Sequence, residues 1–133
     1  MFDAIWDTGA TNSVISQAVI QKCGLAATGM AKVHGVHGVQ TKPTYLVNIE
    51  LPDKVVFASV RVTEGDVADG DMLIGMDIIS QGDFSVTNCD GRSQFSYRTP
   101  SIEHIDYVAQ FKAIRQAQSQ TRAERRRAMR GRV

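Results

Sequence analysis

Apolar and polar positions alternate in short runs over the first hundred residues, with turn-forming residues at close spacing. Residues 2–7 read as a short strand, residues 7–12 as a turn, and Val14-Ile15 as strand again. Ser16 is placed to cap a short helix over residues 17–23, and Gly24 fits the position just past its end. The stretch KVHGVHGVQTKPTYLVNIEL predicts a glycine-rich hairpin, with Tyr45, Val47, Ile49 and Leu51 on one face of its second arm. After Pro52-Asp53, KVVFASVRVTEG predicts a strand with Val56, Ala58, Val60 and Val62 on one face. EGDVADGD is a loop by composition, and MLIGMDIIS a buried strand that breaks at Gly75 into an apolar helical turn. DFSVTNCDGRSQFSYR predicts a hairpin pairing Phe84 and Val86 with Phe95 and Tyr97, with Asp90-Gly91 as its turn signal.

Many short strands with little helix predict an all-β, barrel-like domain over residues 1–100. Residues 101–133 read differently. Ile102, Ile105, Val108, Phe111 and Ile114 recur at threes, which predicts an amphipathic helix capped by Ser101. Beyond Gln116 the apolar positions fade, leaving either more helix or a disordered basic arm.

Charge sharpens this division. The net charge is +1, yet residues 112–133 hold eight basic residues and one acid, against seven basic and thirteen acidic residues before them. With 133 residues the chain fits one domain plus a tail, and its core is small enough that a dimer burying more surface would help. No apolar run is long enough to span a membrane, and the first residues lack a secretory pattern. Cys23 and Cys89 lie far apart without metal-ligand spacing, so both read as free thiols in a reducing compartment, the cytoplasm.

The segment IWDTGATNSVIS raises the chemical question. A carboxylate in a turn between buried strands needs a partner. Gly9 permits close approach of backbone or ligand, and Thr8 offers a hydroxyl beside Asp7. Taken alone, Asp-Thr-Gly is equally well an Asx-type turn. The wider pattern resembles the active-site segment of aspartic peptidases of the retroviral, retropepsin-like branch. That family has Asp-Thr/Ser-Gly-Ala/Ser, polar residues, two apolar residues and a short helix. Its second element, apolar residues followed by Gly and a short helix, is matched by Met72, Leu73, Ile74 and Gly75 leading into residues 76–80. Its flap hairpin is matched by VHGVHGV, with Gly35 and Gly38 as the glycines and Val36 at the tip. The likeness covers residues 3–98, and GMDII with GDF is closest to the bacterial members.

The resemblance implies a retropepsin-like closed barrel with a flap and short helices. It implies an aspartic endopeptidase acting on extended peptides, with no metal or organic cofactor. Asp7 would be the catalytic carboxylate, Thr8 would brace the loop across a dimer, and Gly9 would floor the site. Ala10 and Thr11 would bind substrate backbone, residues 33–39, including Val33, would close as the flap, and Leu73 would wall a side-chain pocket. The chemistry needs two carboxylates sharing a proton, and Asp-Thr-Gly occurs once in this chain, so a homodimer is expected. Only six residues precede Asp7, fewer than the segment that contributes to the dimer in retroviral proteases. The 102–114 stripe is then either a substitute interface or a cover for the barrel.

Two other classes of function stay open at this point. One is a non-catalytic dimeric module of the same fold that binds peptides or partners. The other is nucleic-acid association through the arginine-rich tail, as an accessory role. His34 and His37 would lie on opposite faces of a hairpin arm, without a third ligand, and do not make a metal site.

Overall fold

The computed structural model describes residues 1–35 and 38–131. Within them the chain forms two compact units, divided between Ile102 and Glu103.

The first unit is built on a six-stranded sheet. Its strands are β1 (Ala4–Trp6), β2 (Val14–Ile15), β3 (Gly29–Gly35), β4 (Gly38–Glu50), β5 (Val56–Glu64) and β6 (Met72–Ile74). They lie in the order β1-β6-β2-β5-β4-β3, and the sheet curls as a half-barrel, the retropepsin-like all-β arrangement expected. β6 is the keystone: it pairs parallel with β1 and antiparallel with β2. The chain segment joining β1 to β2 therefore has both its ends hydrogen-bonded to a strand that arrives almost 60 residues later.

Two short helices close the unit, α1 (Gln17–Cys23) and α2 (Met76–Ile79). Gly24 ends α1 at φ +60, where its N–H and that of Leu25 take the last carbonyls, as the sequence predicts. Ser16 holds the N-cap position with extended backbone, but its hydroxyl makes no capping bond. The core gathers Ile15, Val19, Ile20, Tyr45, Ile49 and Phe57 with Val62, Ile74, Ile78 and Ile79.

A separate hairpin, β7 (Asp83–Cys89) and β8 (Arg92–Arg98), has the expected register, Phe84 opposite Tyr97 and Val86 opposite Phe95. No strand hydrogen bonds join it to the large sheet among the described residues. Aromatic packing does instead: the Trp6 ring lies 4.9 Å from Phe95 and 4.8 Å from Tyr97, centroid to centroid. Tyr97 also donates its hydroxyl to the Ile78 carbonyl at 2.8 Å, tying the hairpin to α2.

Three expectations need correction. The buried face of β5 is not continuous. Val56 and Ala58 are exposed while Phe57 and Val62 are buried, because the register shifts between Val47 and Ile49. Ser59 adopts φ 55 there, and Asn48 Oδ1 accepts its N–H at 2.9 Å, so a bulge flips the strand half-way along. The C-terminal helix α3 (Tyr107–Arg130) starts later than predicted, capped by Asp106, which accepts from the Ala109 N–H. Ser101 is not its cap: its hydroxyl donates to Asp83, and Ile102 and Ile105 precede the helix. The basic stretch after Gln116 is helical as far as Arg130.

Candidate active site

Asp7 follows β1 directly. Its N–H donates to the Ile74 carbonyl at 2.9 Å, extending the β1–β6 ladder to the edge of the loop. Its Oδ1 accepts the Gly9 N–H at 2.8 Å, and its carbonyl accepts the Ala10 N–H at 3.2 Å. The carboxylate is thus fixed by the turn it sits in. A Cβ on Gly9 would stand 3.1 Å from Asp7 Oδ1 and crowd the oxygen that the turn positions. Thr8 and Gly9 are exposed beside it, and Ala10 is half-buried.

The far side of the loop rests on α2. Ala10 and Thr11 give their carbonyls to the N–H groups of Met76 and Asp77, at 2.8 and 3.2 Å. These are donors that the start of a helix leaves unpaired. Gly75 is where the two segments meet most closely: a Cβ there would lie 2.7–2.9 Å from Asn12 and Ala10 backbone atoms. No larger residue fits without moving the loop.

One polar knot locks this contact. Ser13 is fully buried, and its N–H and hydroxyl donate to the two oxygens of Asp77, at 3.0 and 2.7 Å. The same hydroxyl accepts the Gly75 N–H at 3.1 Å. Asp77 Oδ1 also accepts the Ile78 N–H at 3.0 Å. Neither Ser13 nor Asp77 stands among the predicted site residues. The signals were a serine directly before the apolar pair of β2 and an acid in the first turn of a short helix. Nothing in one sequence said that they meet.

The structure brings Asp7, Thr8, Gly9, Ala10 and Thr11 together in one loop, with Leu73 half-buried in the strand between β1 and β2, opposite Ile5 and Val14. The expected flap is the β3–β4 hairpin, closing with His34 opposite Val39 and Gly35 opposite Gly38. Val33 pairs with Gln40 there and is half-buried. Val36 and His37 lie outside the described residues. The hairpin is at the opposite end of the strand order from β1, and no hydrogen bond links it to the Asp7 loop among the described residues. A cavity of about 1200 Å³ lies among Phe2, Trp6, Val19, Leu51 and Tyr97 and does not include Asp7.

Residues 1–81, which hold the Asp7 loop, the hairpin and the Gly75 turn, match the family described as gag-polyprotein putative aspartyl protease. The chain belongs to this family. Among solved structures, it is similar to a retropepsin-like aspartic protease from Rickettsia conorii, at 19% identity and a TM-score of 0.45. That likeness covers 62% of this chain and 64% of the Rickettsia chain. No curated protein matches it. The carboxylate of its Asp-Thr-Gly follows an edge strand and is held by its own turn. No helix of the described residues is long and apolar enough to cross a membrane.

Proposed function

We propose that the chain is an aspartic endopeptidase, active as a two-fold homodimer, that hydrolyses peptide bonds in extended polypeptides. The observation that carries this reading is a single Asp-Thr-Gly whose carboxylate is held at the start of a loop fixed by β6 and α2. Such fixation suits a group that must meet its twin at close range. Two Asp7 carboxylates on a shared axis cannot both ionise, so one proton is shared between them. The ionised member takes a proton from the attacking water, and the protonated member gives one to the peptide carbonyl oxygen.

In this reading Thr8, exposed beside Asp7, braces the partner loop, while Gly9, Ala10 and Thr11 offer backbone to the substrate. Val33, Gly35 and Gly38 belong to the closing hairpin, and Leu73 walls a side-chain pocket. No cofactor enters. The cytoplasm is the favoured compartment, on the two exposed free cysteines.

The test compares wild type with Asp7→Asn on a peptide library between about pH 4 and pH 7, recording solution mass on the same samples. Asparagine keeps an oxygen for the Gly9 N–H, so the loop and the dimer persist while hydrolysis drops at least about 100-fold. Uncleaved peptides with a stable wild-type dimer would replace this reading with the peptide-binding module.

A further inference from the structure

α3 is chemically uneven along its length. Its large apolar side chains, Tyr107, Val108, Phe111 and Ile114, fall in the first turns, with Met129 alone near the end. Its seven cationic residues face one acid, Glu124, and five of the seven lie at or beyond Arg122. Six of the seven are arginine. All of α3 is exposed.

The arginines also share a side. With 3.6 residues per turn, Arg115, Arg122 and Arg126 align within about 40° of one another, and Arg125 and Arg130 flank them. Five arginines thus fall within about 140° of the helix circumference, along about 23 Å of its axis. Arg122, Arg126 and Arg130 are spaced four apart, a like-charge arrangement that opposes the helix. A polyanion laid along this side would remove that repulsion. Guanidinium forks match phosphate oxygens in a way that lysine does not. An in-plane membrane helix needs apolar residues along its whole length, and the last four turns of α3 offer only Met129.

We propose that α3 docks nucleic acid, gripping the phosphate backbone through Arg115, Arg122, Arg125, Arg126 and Arg130 without reading bases. It stands on α3 alone and is independent of the peptidase reading. Five neutralised phosphates give a slope of about −4.5 for log affinity against log salt on duplex DNA.

The experiment titrates the full chain into a labelled 20-base-pair DNA duplex and a 20-nucleotide RNA by anisotropy, between 50 and 200 mM salt. The expected affinity loss on the duplex over that range is about 500-fold. Replacing Arg122, Arg125, Arg126 and Arg130 with Gln leaves one of the five contacts, so the slope flattens to about −1. Circular dichroism checks that the helix survives, since Gln is a helix former close to Arg. The matching Arg→Lys variant keeps most of the slope. A slope shallower than about −2 in wild type overturns the proposal. So does equal binding by the Gln variant, tighter binding to phosphatidylserine vesicles than to either nucleic acid, or salt-sensitive self-association in place of binding.

Discussion

Replacing Asp77 with alanine tests whether the loop bearing Asp7 is held by the polar knot beneath it. Three donors point at this carboxylate, from Ser13 N–H, Ser13 Oγ and Ile78 N–H. The Ile78 N–H also reaches the Gly75 carbonyl at 3.1 Å, so it is not orphaned by the change. The two Ser13 donors are, and Ser13 is fully buried, where water does not replace the lost acceptor. A buried donor left unpaired costs about 1–3 kcal/mol, so the variant should be destabilised by about 3 kcal/mol in all. Asp77→Asn keeps one acceptor oxygen and should lose about 1 kcal/mol. Urea unfolding followed by the fluorescence of Trp6, the single tryptophan, measures both at fixed protomer concentration. Ser13→Ala completes a double-mutant cycle. Because Ser13 and Asp77 share two hydrogen bonds, a coupling of at least about 1 kcal/mol is expected. A fall of under about 0.5 kcal/mol for Asp77→Ala, or an additive cycle, would refute the reasoning.

Two further outcomes follow from neighbouring contacts. Gly75→Ala pushes a methyl group against Asn12 and Ala10 backbone, so a loss of about 1–3 kcal/mol is expected, with peptidase activity falling more than stability as the Asp7 loop shifts. The carboxyl of Asp83 is held well below its ordinary range by the Ser101 hydroxyl, then the Ile102 N–H and Arg98. A depressed folded-state pKa adds stability above the unfolded value of 3.8, and that share is lost as pH falls below it. Thermal melts between about pH 2 and pH 6 should show Asp83→Asn with a flatter acid limb than wild type. Parallel limbs would remove Asp83 from the account.

Alternation made a strand such as β4 legible, because the sheet buries one face of it at Tyr45 and Ile49, with Val47 half-buried between them. The turn chemistry of Asp90-Gly91 and the stop at Gly24 are local, and both were read correctly. The break in β5 was not, since it depends on Asn48 of the neighbouring strand receiving the Ser59 N–H. The start of α3 was missed for a similar reason. Ser101 is a good cap by type, but Asp83 engages its hydroxyl, and Asp106 takes the role five residues on. At the candidate site the Asp7 motif announced itself through its residues. The grip beneath it did not, because it joins Ser13 to a residue 64 positions away and polar pairing leaves no periodic trace.

The position of β6 between β1 and β2 has a temporal consequence. Apart from the Thr63 N–H on the Ser13 carbonyl, the hydrogen bonds that hold the Asp7 loop from outside come from residues 74–77, late in the unit. During synthesis the motif emerges first, but for some 60 residues it has nothing to fold against. Closing so long a span is slow compared with forming the local hairpin of β3 and β4. A nascent chain of this kind carries Asp7 in an unshaped segment until its own framework has been made.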